Sequence, residues 1–238
     1  MQPITYIKTP YRQKFGVPRQ PLLVPEAWGV MSFDRNEFFS EAFRGLENFS
    51  HLWLIFQFHQ FKQEKVSSLV QPPRFDGEKK MGVFATRSPF RPNHLGLSVV
   101  KLKEVRKTHN QIEIHVAGVD LLNETPILDI KPYIPYCDAH VDAKATFFEE
   151  PPKMHPVIWS VEVDLLVEER LMIEKTIAMD PRPGHYKFLN RDHAVLISDW
   201  NVRFRFENGL FTIYALEKAD QPLADDNSLL DADPTAGV

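Results

Sequence analysis

The sequence predicts a mainly β chain with a minority of helix. Many short strands form a barrel or a sandwich, and a smaller α+β unit follows. Three observations carry this reading. The apolar runs are short and are cut at close intervals by 19 prolines and 10 glycines in 238 residues, which is the punctuation of turns rather than of long helices. The strongest run, FSHLWLIFQFHQF at 49–61, has a period of two, with Leu52, Leu54, Phe56 and Phe58 on one face and His51, Trp53, Ile55, Gln57, His59 and Phe61 on the other. Near the C-terminus Asn208-Gly209 separates VRFRFE from LFTIYAL. Asn-Gly is the strongest two-residue hairpin signal, because both positions tolerate positive φ.

Along the chain, residues 5–8 are a short strand. Four prolines then make 10–25 a stiff extended segment, with Arg19, Gln20 and Pro21 inside it. Residues 36–46 hold a short helix. Residues 66–80 are a polar, proline-rich loop. Residues 97–105 and 111–118 pair across His109-Asn110, and 119–126 (VDLLNETP) form a loop with two acids and an amide. Residues 127–136 (ILDIKPYIPY) are extended again, with Leu128 and Ile130 facing one way and Ile127, Asp129 and Lys131 the other. An acid on such an apolar strand is expected to be buried and paired with Arg87, Arg91 or Lys131, or to line a wet pocket. Pattern is lost from 139 to 156, which reads as a linker. Beyond it come a strand at 157–163, a helix at 164–179 and a strand at 193–200. The helix has an apolar stripe through Leu165, Leu166, Met172, Ile173 and Ile177, shared with Glu169, and Asp164 stands as its cap. The organisation expected is a main domain over 1–145, a small α+β domain over 146–218 and an acidic, disordered tail over 219–238.

Composition narrows the function classes. A charged fraction of 25% and a hydrophobic fraction of 43% are ordinary for a soluble globular chain. The N-terminal stretch MQPITYIKTPYRQKFG has no apolar core of signal-peptide length, and no run approaches a membrane span. A single cysteine, Cys137, excludes an internal disulfide and a multi-cysteine metal site. The chain is expected in the cytoplasm, with no metal. No two glycines are separated by one residue, so the usual dinucleotide-binding fingerprint is absent. Net charge is −4, yet residues 62–107 carry eleven Lys and Arg against four acids. That stretch is either a solvated basic face or a phosphate-binding one.

The chemistry is concentrated in MGVFATRSPFRPNHLGLSV, residues 81–99. An apolar run turns abruptly into a loop bearing Arg87, Arg91, Asn93 and His94, then closes into a second strand. Two prolines forbid a helix there. Together with Arg19-Gln20 and the acids of 119–126, this set suits a polar ligand bound through hydrogen bonds.

The patterns FATRSPFRPNHLG and VDLLNETPILDIKPYIP, with FGVPRQP before them, resemble the TsaA/TrmO family. The resemblance runs from about residue 6 to about residue 216. It implies a small β-barrel with a C-terminal extension, a homodimer, and an S-adenosyl-L-methionine-dependent tRNA methyltransferase. The expected product is N6-methylated threonylcarbamoyl-adenosine beside the anticodon. Cofactor contacts carry over to Arg19, Gln20, Pro21, His59, Gln60, Arg87, Leu97, Asp120, Leu121, Leu122 and Asn123. Arg91 and Asn93 would orient the base or its threonyl group. The proton released by the amine would pass to Asp129, Asp120, His94 or water. Where the family more often has Asp-Gly, this chain has Asn123-Glu124. Two rival readings use the same residues: a non-catalytic RNA-binding barrel, and a hydrolase built around Ser88 or a metal.

Overall fold

In the computed structural model, described here over residues 1–60, 66–72, 80–145, 148–182 and 192–219, six strands close into a barrel. They are β1 (Thr5–Lys8), β2 (Trp28–Asp34), β3 (His51–Gln57), β6 (Leu95–Lys107), β7 (Gln111–Ala117) and β8 (Thr125–Pro132). Their order around the wall is β1-β2-β7-β6-β3-β8, and β8 pairs with β1 to close it. A two-residue ribbon, β4 (Leu69–Val70) with β5 (Met81–Gly82), stands apart. The barrel of the two alternatives is thus the one formed.

Alternation dictates what fills the barrel. Leu52, Leu54 and Phe56 of β3 point inward and are buried, while Trp53 and Ile55 lie on the outer wall, only partly covered. Facing them across the ladder are Val100, Ser98 and Gly96 of β6. The Phe56 ring needs the space at Gly96, where an added Cβ would lie 2.1 Å from Phe56 Cζ. Ile7, Met31, Phe33, Ile112, Ile114 and Ile127 complete the filling. The strand β2 was not expected from the sequence, although WGVMSFD carries the same period, with Gly29, Met31 and Phe33 buried. Helix α1 (Glu37–Ala42) follows it, and the Asn36 side chain caps it by accepting from Phe39 N–H at 2.8 Å.

One bulge matters for function. Ile55 is opposite Asp129, but the next residue, Phe56, is opposite Ile127, so Leu128 is the extra residue. Ile127 therefore belongs to the core, while Asp129 and Lys131 emerge on the outer wall. The expected buried, base-paired Asp129 is corrected: it is exposed, and its Oδ1 accepts from Ile130 N–H at 2.9 Å. It forms no ion pair among the described residues.

After helix α2 (Pro135–Asp138) the chain builds a second sheet, β10-β11-β12-β9, from β9 (Val157–Trp159), β10 (His193–Ile197), β11 (Trp200–Glu207) and β12 (Leu210–Lys218). The β11–β12 turn has φ 51° at Asn208 and 82° at Gly209, as the Asn-Gly signal requires. Helix α3 (Val167–Ala178) buries Met172, Ile173 and Ile177. It starts later than expected. Leu166 occupies the cap position without a side-chain bond, and Asp164 does not cap it. The acidic tail at 220–238 and the basic residues Lys62, Lys65, Arg74 and Lys79 lie outside the described residues.

The segment 9–27 joins the two sheets. Tyr11 is fully buried, bridges Ile197 of β10 and sits 3.4 Å from the Thr176 hydroxyl. Leu196 N–H donates to Gln13 Oε1 at 3.1 Å, Arg12 pairs with Asp199 at 2.7 Å, and Lys175 pairs with Glu26. Barrel and second sheet share one continuous apolar core.

Gly96→Ala is expected to destabilise the protein by roughly 1–3 kcal/mol, because the buried Phe56 ring has nowhere to retreat. Urea unfolding of the variant measures it, and an unchanged midpoint would show that the ring relocates.

Candidate active site at one end of the barrel

The register places the links 9–27, 58–94 and 118–124 at the same end of the barrel, beside Lys8, Trp28, Gln57, Leu95, Ala117 and Thr125. The sequence motifs far apart in the chain are gathered there. Non-glycine residues in the left-handed region mark three of the turns: Leu22 at φ 64°, His94 at φ 50° and Glu124 at φ 60°. Backbone strain of this kind persists only where surrounding contacts enforce it, and it collects at functional loops. Glu124 stands in a conformation that favours glycine.

Asp120 is the electrostatic centre. Its Oδ1 is buried and has no hydrogen-bond partner among the described residues. Burial disfavours the charged form and prevails over the Ser98 hydroxyl, the residue's own backbone N–H and the Arg87 guanidinium, which favour it, so the pKa is pushed up to about 6. Ser98 itself is an inward, buried residue opposite Leu54. Arg87 is exposed and donates to Gln20 Oε1, which ties the 9–27 segment to the 83–94 loop.

A second group of bonds shapes the floor of the 118–124 turn. Thr9 Oγ1 donates to the Leu121 carbonyl at 2.9 Å, Thr9 N–H donates to Asn123 Oδ1 at 3.0 Å, and Asn123 N–H donates to the Tyr11 carbonyl at 2.7 Å. The Leu122 carbonyl accepts from the Thr125 hydroxyl at 2.7 Å. Several polar groups of Leu121, Leu122 and Asn123 thus hold the turn itself. Alongside, Lys14 Nζ donates to the Gln60 carbonyl at 2.7 Å. Burial, and then the charge of Lys14, lower the pKa of the neighbouring His59, with Glu124 opposing.

The remaining residues named from the sequence are dispersed. Arg19 and Asn93 are exposed and Pro21 is half-buried. Arg91 Nη1 donates to the carbonyls of Thr86 (3.1 Å) and Ser88 (3.2 Å), so it fastens its own loop. His94 is buried with Nδ1 2.8 Å from the Pro89 carbonyl. Leu97 is 53% exposed on the outer wall, in register with Ile55 and so with Asp129. Leu97 and Asp129 are therefore on the opposite face of the wall from Ser98. Ser88, the candidate nucleophile of the hydrolase reading, is buried and accepts from Phe90 N–H at 3.3 Å.

Two families of known domains match, in chain order. The tRNA-methyltransferase O N-terminal domain covers residues 6–139, and the TrmO C-terminal domain covers 156–219. The chain belongs to the TrmO family. It is 40% identical over 225 residues to the tRNA (adenine(37)-N6)-methyltransferase of Escherichia coli, covering 90% of this chain and 96% of that one. A protein of the same name from Eikenella corrodens is 45% identical over 172 residues, 71% of this chain and 97% of its own length. A crystal structure of TrmO from Pseudomonas aeruginosa superposes with a TM-score of 0.73 at 34% identity, over 91% of this chain and 96% of that one. The barrel and the second sheet are thus the architecture of that family.

Three contributors at the site were not read from the sequence: Ser98, Thr9 and Lys14. Ser98 had a usable signal, since it is a hydroxyl at an inward position of an otherwise apolar strand. Thr9 and Lys14 had none, because their roles depend on which turn folds over them.

The raised pKa of Asp120 has a stability consequence. The folded chain binds this proton more tightly than the unfolded one. The contribution is fully present below the ordinary aspartate value of 3.8 and is lost as pH rises toward about 6. Asp120→Asn should abolish that loss. Relative to the parent chain, it is expected to be about 1–3 kcal/mol more stable at pH 7, with little difference at pH 4. Urea unfolding at both pH values decides it, and a variant less stable at pH 7 would mean that the carboxylate is held by net attraction.

Proposed function

We propose that the chain transfers a methyl group from S-adenosyl-L-methionine to the exocyclic amine of an adenosine in tRNA. The family resemblance makes threonylcarbamoyl-adenosine beside the anticodon the specific substrate. One observation carries this reading: a half-buried carboxylate, Asp120, whose buried Oδ1 has no partner among the described residues, at the barrel end where Arg87 bonds to Gln20, in a chain of the TrmO family. Its orphaned Oδ1 suits the positively charged part of the donor, and the exposed Arg87 suits a carboxylate. In this reading Arg19, Pro21, His59, Gln60 and residues 121–123, which belong to links at the same end of the barrel, would contact the donor.

The donor supplies a methyl carbon activated by a sulfonium. What the chain contributes is charge, orientation and a dry wall. Asp120, ionised above about pH 6, meets the cationic part. The Gln20–Arg87 bond holds two segments in one geometry, and most of the rate enhancement is expected from such positioning. In this reading Arg91 holds the 83–94 loop in shape and the exposed Asn93 orients the base or its threonyl group. The amine's proton goes to Asp120 or to water, since His94 is tied to a carbonyl and Asp129 opens onto the outer wall.

The assembly proposed is a homodimer. The strip of Leu97, Val99, Ile55 and Trp53 on the outer wall, none of them fully buried, supports a partner there, and Leu97 and Asp129 would then act from the interface. The barrel unit at 1–145 would carry the chemistry and 146–218 would support it. A cytoplasmic location fits the tRNA substrate, and no helix among the described residues is long and apolar enough to cross a membrane.

The direct test is mass spectrometry of tRNA nucleosides after incubation with the protein and S-adenosyl-L-methionine. A gain of one methyl on threonylcarbamoyl-adenosine is expected. RNA binding with no methyl gain would favour the non-catalytic RNA-binding barrel. Within this reading Arg87→Ala is expected to weaken donor affinity about tenfold or more, the loss of roughly 1.5–3 kcal/mol from one charge-assisted bond. Calorimetric titration reads it, and parent-like affinity would remove Arg87 from the donor site.

A further inference from the structure

We propose that Phe84 is a stacking platform for an unpaired base of the RNA substrate, braced by Arg91. This rests on the tRNA-methyltransferase reading and extends it to a residue that the reading does not use. Phe84 is 76% exposed. Its backbone surroundings are nonetheless fixed. The β4–β5 ribbon pairs Leu69 with Gly82, and Val83 N–H donates to the Ser68 carbonyl at 3.0 Å. Thr86 closes the following 3-10 turn, with its N–H (3.1 Å) and its hydroxyl (2.9 Å) both donating to the Val83 carbonyl. The Ser67 N–H donates to the Phe90 carbonyl at 3.0 Å and ties the far side of the loop to the same strand.

The Arg91 guanidinium lies 5.9 Å from the Phe84 ring centroid and is itself held by the carbonyls of Thr86 and Ser88. It is in cation–π range of the ring. The neighbours leave room: an added Cβ at Gly82 would meet nothing within 4 Å, and Ala85 is small and exposed. Among the described residues the other strongly exposed phenylalanine, Phe38, lies at the opposite end of the barrel and packs against Phe39 at 5.2 Å.

An open phenyl ring on a hydrogen-bonded turn, with the exposed cations Lys80 and Arg87 close by in sequence, has the chemistry that single-stranded RNA uses. Bases unstacked from a loop are received on aromatic faces, while arginine and lysine meet the phosphates. An enzyme acting on a base must also take that base, or its neighbour, out of the stack. Phe84 is three residues from Arg87, so a base stacked on it stays close to the barrel mouth.

The test compares Phe84→Ala, Phe84→Leu and Phe84→Trp with the parent chain, using an anticodon stem-loop RNA. Fluorescence anisotropy gives the RNA Kd, calorimetry the S-adenosyl-L-methionine Kd, and thermal melting the fold. Ala and Leu are expected to weaken RNA binding roughly tenfold, with donor affinity and Tm unchanged. Trp is expected to keep parent-like affinity, its fluorescence quenched on RNA addition. Parent-like RNA binding by the Leu variant would overturn the platform while leaving the methyltransferase reading intact. A parent chain that binds no RNA would overturn both.

Discussion

Asp120 stands half-buried in the turn from β7 to β8 with one carboxylate oxygen, Oδ1, out of contact with solvent, and such an oxygen is costly unless something compensates it. Ser98 from inside the wall and Arg87 from the 83–94 loop supply part of that compensation. Arg87 is in turn fastened to Gln20. One charge thus links three segments that are spread over the stretch from Gln20 to Asp120. Its compensation is incomplete, since Oδ1 has no partner among the described residues and the pKa remains raised. A site in that condition is ready for a cation, which would supply the missing interaction without any rearrangement.

The second sheet acts on this site through the 9–27 segment. Gln13, Arg12 and Glu26 each bond to a residue of β10, α3 or the turn after β10, and Tyr11 is packed between the two sheets. The same segment reaches Asn123 through Thr9 and Arg87 through Gln20. The extended course expected for it is corrected: it turns repeatedly, with a 3-10 turn at Lys14–Gly16 and Leu22 in the left-handed region, and its four prolines limit its conformational freedom. Packed on one side by the second sheet, it presents Arg19 and Gln20 on the other. The C-terminal unit therefore has a physical connection to the mouth without contributing a side chain named in the site.

Legibility followed the range of the interactions. The faces of β3, the β6–β7 pairing, the Asn208-Gly209 hairpin and the Asn36 helix start depend on neighbours in sequence, and each was readable. The barrel, as opposed to a sandwich, needed the family resemblance, since closure through β1 and β8 leaves no local mark. β2 was hidden by Gly29 at an inward position, where a side chain would have shown the period. Asp129 was misjudged because strict alternation assigns it to the same side as Ile127, and one extra residue at Leu128 separates them. For the site, the motif residues Gln20, Arg87 and Asp120 come together. Arg91 proves to brace its own loop, and Leu97 lies on the outer wall. Ser98, which sets the carboxylate's environment, carried only the faint signal of a hydroxyl in an apolar strand.

The most direct measurement of the central claim, that Asp120 receives the donor's cationic part, is the pH dependence of S-adenosyl-L-methionine affinity from pH 5 to pH 8. A buried acid that must ionise to bind a cation makes affinity rise as pH passes its pKa of about 6. The expected result is a parent-chain Kd that tightens through that range and levels off above it, with Asp120→Asn weaker and without the transition. A parent Kd that is flat across the range, or an Asp120→Asn variant that keeps the transition, would contradict it.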